Sequence, residues 1–264
     1  MLIDTHCHLN FKAFKSDWRE VAQRAFNADV KGIINVGSNY STSVRAVEVA
    51  RQYRDRKLNE GKLFAAVGLH PIHVGDEDFN IGKYLKLAQD SSVVAIGETG
   101  LDLFHTPSSV ERQKEVFRQL LSLAGQIDKP IIIHNRQAGK EVLEVLSSVK
   151  KLPRGVMHFF SEDWAYAQKL LDMGIYISFT GAITLDNIGT DTMEVIKKAP
   201  LDRIMIETDA PYVVPRKQKS EDIKRNEPAF VVEVAARIAE IRGIGIAEVA
   251  RLTTQNAINL FGLS

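Results

Sequence analysis

Leu2-Ile3-Asp4-Thr5-His6-Cys7-His8 begins as a short apolar strand and closes on two histidines. A doubly wound open α/β sheet usually places a glycine-rich phosphate loop after its first strand, and no such loop stands here. His6 and His8 lie two residues apart on an extended segment, so both imidazoles leave one face while Cys7 leaves the other. Two histidines on one face can chelate one ion. The pair becomes informative only if partners stand at the ends of later strands.

Seven more short apolar runs follow: Gly32 to Val36, Leu63 to Leu69, Val93 to Ile96, Pro130 to Ile133, Gly155 to Met157, Ile175 to Phe179 and Arg203 to Ile206. Each is mostly β-branched or apolar and flanked by Gly, Pro or charge, as strands buried on both faces should be. Helical segments separate them. Ser108-Ser109-Val110-Glu111 reads as a capping box with Ser108 at the N-cap, and Asp191 to Glu194 is a weaker one. Pro228 suits the first turn and Gly243 the stop of a helix near the C-terminus, and a last helix is expected from about Ile246 to Leu260. Eight alternations of strand and helix predict parallel strands with right-handed crossovers. The expectation is one α/β domain over residues 1–264, a single (β/α)8 TIM barrel with a C-terminal helical extension. A chain of 264 residues matches the roughly 250 typical of that barrel.

Bulk properties narrow the function classes. A formal net charge of +1 argues against wrapping nucleic acid with a whole basic face, yet leaves room for holding a few phosphates locally. Cys7 is the only cysteine, so no internal disulfide can form. Asp4 and His6 interrupt the first apolar run, which leaves no signal-peptide core, and no later run approaches the roughly 20 residues of a membrane span. A cytoplasmic protein with no obligate protein partner is expected.

Barrels of this kind keep their chemistry at the C-terminal ends of the strands. Reading each run to its end gives His6 and His8, then Asn35, His70, Glu98, His134, His158, and Glu207 with Asp209. A lone histidine closing an apolar strand is more often a hydrogen-bonded core residue. His134 and His158 on consecutive strands, in a chain with seven histidines, point instead to ligands. Glu98 lies between Gly97 and Gly100 just after a buried strand, where a carboxylate could bridge two ions or merely cap the next helix. Asp102 would orient a ligand histidine. Four imidazoles and two carboxylates (His6, His8, Glu98, His134, His158 and Asp209) suit two divalent ions sharing Glu98 and a bridging water. Zinc and manganese accept such a mixed shell, whereas magnesium prefers oxygen. Paired ions that activate water make hydrolysis the expected chemistry.

Asp4 to His8, Val67 to Pro71, Ile96 to Asp102, Ile133 to Arg136, His158 to Ser161, Glu207 to Pro211 and Arg225 to Pro228 together resemble, in order, the TatD family of metal-dependent deoxyribonucleases among the amidohydrolase-like barrels. The resemblance implies that His6, His8 and Asp209 hold one ion, that His134 and His158 hold the other, and that Glu98 bridges them. It also implies that Asp209 accepts the proton of the attacking water. The implied metal is magnesium, set against a His-rich shell that suits manganese or zinc, and the implied substrate is single-stranded DNA degraded from 3′ ends, with RNA a further candidate. Many members read Cys-Phe-Ser/Thr-Gly after the sixth-strand histidine. Here Phe159-Phe160-Ser161-Glu162 stands instead, so Glu162 would reshape the entrance and disfavour a polyanion. Ester hydrolysis on RNA, such as removal of a D-amino acid from tRNA, is the alternative that relatives suggest.

Substrate contacts are expected from His70, from Arg136 just beyond His134, and from Arg225 in a basic loop with Arg216, Lys217, Lys219 and Lys224. Glu221 and Asp222 offset that loop. His73 and His105 could also meet substrate.

Overall fold

The computed structural model describes residues 1–106, 109–219 and 222–264. Eight strands form one sheet in chain order: β1 (Leu2–Cys7), β2 (Val30–Val36), β3 (Lys62–Val67), β4 (Val93–Asp102), β5 (Ile131–Arg136), β6 (Gly155–Met157), β7 (Tyr176–Phe179) and β8 (Ile204–Ile206). All seven successive pairings are parallel. Among the described residues β8 and β1 share no ladder; the bridge Cys7–Ala210 joins them with two backbone hydrogen bonds, Asp209 N–H to His6 O and His8 N–H to Ala210 O, each 2.8 Å, and Thr5 Oγ1 donates to Ile206 O at 3.0 Å. The barrel is thus closed at the seam by the segment that carries the histidines.

Crossovers run through α1 (Trp18–Asn27), α2 (Tyr40–Arg51), α3 (Ile81–Ala88), α4 (Val110–Gln126), α5 (Gly139–Ser148), α6 (Trp164–Asp172) and α7 (Thr190–Lys198), followed by α8 (Val231–Arg242) and α9 (Ile246–Phe261). Asn39 caps α2 by accepting from Thr42 N–H, and Gly243 ends α8 with a left-handed φ of 65°. Two expected helix starts move. α4 begins at Val110 with Ser109 at its N-cap position, and the proposed cap Ser108 lies outside the described residues. α7 starts after Gly189, which places Asp191 in its first turn, where a carboxylate favours the helix dipole without capping.

Two apolar clusters result. One lies between strands and helices; the other joins Ile3, Ile34, Phe64, Ile132 and Met205 to Ala257, Leu260 and Phe261 of α9. The C-terminal extension therefore packs on strand residues of the second cluster, and Asn256 fastens it by donating to Leu201 O and Ile204 O (2.8 and 2.7 Å).

Two ladders are interrupted where the chemistry lies. Between Asp4 and Cys7, β1 spends three steps against two on β2, and between Ile96 and Thr99, β4 does the same against β5. Such bulges re-aim side chains. Ile3 and Cys7, four residues apart, consequently belong to different clusters. The same device lets His6 and Glu98 meet.

Candidate metal centre

His6 and His8 leave the bulged end of β1 with their Nε2 atoms 3.3 Å apart, and Cys7 turns into the core as the spacing required. Across the seam, Asp209 places Oδ1 3.3 Å from His8 Nε2 and 3.7 Å from His6 Nε2. Glu98, in the bulge of β4, divides its two oxygens. Oε2 lies 3.4 Å from His6 Nε2, while Oε1 lies 2.8 Å from His134 Nδ1 and 2.9 Å from His158 Nε2. Three sets of atoms lie close enough to share an ion: His6, His8 and Asp209; His6, Glu98 and His158; and His70, Glu98 and His134. His158 also stacks on His6, with centroids 4.0 Å apart, so it stands nearer the first set than its strand order suggests.

Assigning protons shows what this cluster lacks. His8 Nδ1 lies 2.8 Å from Val36 O, which can only accept, so Nδ1 carries the hydrogen and Nε2 presents a lone pair to Asp209. His158 Nδ1 donates to Glu207 Oε1 (3.0 Å), which leaves its Nε2 lone pair facing Glu98. His134 Nε2 donates to Asp102 Oδ2 (3.3 Å), which leaves Nδ1 facing the same Glu98 oxygen. Acceptors therefore face acceptors at around 3 Å, and among the described residues no Lys or Arg pairs with Glu98 or Asp209. Such a buried donor set fits a divalent cation. His70 differs. Its Nδ1 accepts from Ile72 N–H at 3.2 Å, so its Nε2 bears the hydrogen and is a donor toward Glu98 and His134 (3.4 and 3.2 Å) rather than a ligand.

Without an ion, protons take its place. Burial opposes charge on Glu98 and Asp209, but the surrounding imidazoles hold both carboxyls below their ordinary range. Burial likewise works against His158, yet Glu98 and Glu207 on either side raise it well above an ordinary imidazole. Burial and the neighbouring His134 push His70 down to about 4, which keeps it neutral at neutral pH.

Supporting residues complete the site. Asp102 stands against His134 as expected, and its Oδ1 also takes the N–H groups of Phe104 and His105 (3.0 and 2.7 Å). Asp209 sits at φ 54°, a costly conformation for a residue with a Cβ, and its turn is pinned on both sides. Thr208 donates from N and Oγ1 to the buried Asp4, whose carboxyl burial pushes up to about 8, while Asn226 Nδ2 donates to Thr208 O and Tyr212 O. Neither Asp4 nor Asn226 was singled out from sequence. Both belong to segments that carry the resemblance, but only the fold shows what they hold. Glu207 was visible as a strand-end acid without a partner. Asn35 stays out of the cluster and instead accepts from Asn10 N–H.

The site opens into a pocket of about 570 Å³, within the usual range for ligand sites, lined among others by Phe11, His70, Arg136, Phe159 and Tyr212. Arg136 reaches it, and His73 and His105 line it as well. Arg225 does not: its guanidinium is held by Asp17, Glu227 and Ala13 O and lies 4.4 Å over the Phe14 ring. Arg216 and Lys217 of the basic loop pair with Asp186 and Glu233, beside a different cleft. Glu162, expected to reshape the entrance, does not line the pocket: it is half-buried and accepts from Nδ2 of the pocket-lining Asn135 at 2.9 Å.

An eight-stranded parallel barrel with imidazoles and carboxylates converging at its C-terminal rim defines a metal-dependent hydrolase. The family model described as TatD related DNase matches residues 3–262, and the chain belongs to that family. It is 38% identical to the metal-dependent hydrolase YabD of Bacillus subtilis, with all of both chains covered. It is 32% identical to the 3'-5' ssDNA/RNA exonuclease TatD of Pantoea ananatis, covering 99% of this chain and 100% of that one. Among solved structures it resembles the TatD homologue YJJV of Escherichia coli, with a TM-score of 0.89, 30% identity, and 100% and 98% of the two chains covered.

Proposed function

We propose that this protein is a 3′-5′ exonuclease that hydrolyses phosphodiesters of single-stranded DNA, with RNA a further substrate, using two divalent ions. The observation that carries the reading is the divided carboxylate of Glu98, one oxygen toward His6 and the other toward His134 and His158. In this reading His6, His8 and Asp209 hold one ion, His134 and His158 hold the other, and Glu98 is shared. Manganese or zinc suits the nitrogen-rich donors, and magnesium is the third candidate. When bound, such ions supply Lewis acidity and a reactive water at neutral pH.

The remaining steps belong to side chains. Asp209, held ionised by His8, accepts the proton released by water. His70, kept neutral, points its one N–H at Glu98 and His134; with those two holding an ion it would be released to an oxygen of the phosphate, and Arg136 contributes a fork of donors from the pocket wall. Arg225 is left out of the substrate set because its donors are already engaged. The relative named as an ssDNA/RNA exonuclease supports the substrate class. A cytoplasmic location fits that substrate. Among the described residues no helix is long and apolar enough to cross a membrane.

The test is release of a 3′ label from a single-stranded oligonucleotide with Mg²⁺, Mn²⁺, Zn²⁺ or EDTA. Glu98→Ala and Asp209→Ala should each lower the metal-dependent rate by roughly 10³-fold or more. Undiminished cleavage by either variant would sink the reading. One observation favours a second: Glu162 puts a carboxylate behind the pocket-lining Asn135, which suits a less charged reacting group such as the ester of an aminoacyl-tRNA. Loss of the amino acid with the RNA backbone intact would select it.

A further inference from the structure

We propose that Phe104 and Tyr212 are nucleobase-stacking subsites on opposite sides of the pocket mouth, which hold a single strand by its unpaired bases. Among the described residues only four large hydrophobic side chains are exposed: Met1, Ile246, Phe104 at 54% and Tyr212 at 51%. Tyr212 lines the pocket at the metal centre, and Phe104 stands beside it, against the pocket-lining His105 and Arg136. Phe104 follows β4 and Tyr212 follows β8, and four strands apart in a ring of eight is the far side of the barrel.

Both rings stand on fixed backbone. Asp102 holds the Phe104 and His105 amides, as described, and Tyr212 donates from N to Asp209 O (2.9 Å) while its carbonyl accepts from Asn226. An exposed aromatic on a pinned backbone loses little freedom when a flat ligand lands on it. Each ring also has a partner from the site. The Arg136 guanidinium lies 5.3 Å from the Phe104 centroid, so one cation can back the ring while its remaining N–H groups meet a phosphate. Tyr212 meets His8 edge-on at 6.2 Å, and Phe11 stacks on the same imidazole at 4.2 Å. On one side a flat group is backed by a cation, and on the other a flat group abuts a candidate metal ligand, which suits the base and phosphate of a nucleotide.

The chemistry recognised is the π-face of an unpaired base, of any identity. Inside a duplex those faces are covered by neighbouring base pairs, so these rings accept single strands and reject paired ones. The inference rests on the nuclease reading only in taking the flat group to be a base.

Binding by metal-free protein in EDTA tests it, with an oligonucleotide carrying 2-aminopurine near its 3′ end and a matched strand whose terminal residues are abasic. The native protein should quench the fluorophore. Phe104→Ala and Tyr212→Ala should each weaken binding of the base-bearing strand about ten-fold, leave the abasic strand unchanged, and be rescued by Phe104→Trp and Tyr212→Phe. Both positions are exposed, and an unaltered melting curve confirms the fold. Equal affinity across the variants, equal losses on the abasic strand, or no quenching by the native protein would each overturn the proposal. The metal-loaded cleavage assay separates the two readings. Stacking without cleavage overturns the nuclease alone, and cleavage indifferent to both rings overturns the subsites alone.

Discussion

Glu207 receives two hydrogen bonds on one oxygen, from His158 Nδ1 at 3.0 Å and from Phe159 N–H at 2.7 Å. The first decides which imidazole nitrogen is free to bind, and the charge behind it makes that nitrogen more basic. Glu207→Gln keeps the shape and removes the charge, so it should weaken Mn²⁺ or Zn²⁺ binding about 10- to 100-fold with the fold intact, as read by titration against a competing chelator. Unchanged affinity would show that His158 is no ligand. At this scale the sequence was generous with ligand types and silent on their partners. His6, His8, Glu98, His134, His158 and Asp209 all stood at strand ends, and the structure brings them into one cluster. What Glu207, Asp4 and Asn226 hold could not be read, because each acts on a residue whose place is set by closure of the barrel. Arg225 shows the converse: a cation in a plausible loop finds Asp17 first, more than 200 residues away in the chain.

Among the elements, the eight strands were legible because parallel strands buried on both faces are written as unbroken apolar runs. Their ends were not. β1, β4 and β5 continue through polar residues to Cys7, Asp102 and Arg136, since backbone pairing persists while the side chains turn toward the mouth. The bulge in β1 left no mark in composition, whereas that in β4 is flagged by Gly97 within it. Gly100 is the residue that lets β4 continue: at φ 145° beside β5, an added Cβ would lie 2.0 Å from His134 O. Gly100→Ala should therefore destabilise the fold by about 3 kcal/mol or more in urea unfolding and displace His134. A neutral outcome would mean that the two strands can part without penalty. At the seam, Asp4 gives a pH signature. Its folded carboxyl, near 8, lies above the ordinary 3.8, so its contribution to stability is full below about pH 4 and is lost as pH rises toward 8. Unfolding in EDTA at pH 5 and pH 8 should show a smaller decline for Asp4→Asn than for the native chain. Equal declines would place the charge elsewhere.

For the molecule as a whole, candidate ligands come from β1 and the residue after it, β4, β5 and the segments after β6 and β8, so two ions together would tie five strands of the ring. An ion that binds only the folded chain, at a free concentration of 100 Kd, adds about 2.7 kcal/mol. For a domain of this size Tm should then rise by about 5–10 °C over the EDTA-treated protein, in a calorimetric scan, and Glu98→Ala should lose most of that rise. Equal melting with and without metal would contradict the fit of the donor set.

The seam between β1 and β8 also sets a clock. Asp209 and Ala210 leave the ribosome roughly 200 residues after His6 and His8, about 10–40 s at 5–20 residues per second. Until then no nascent chain, and no truncated translation product, carries both halves of the His8–Asp209 pair. Any chain that stops short of Asp209 therefore lacks one half of the candidate metal site.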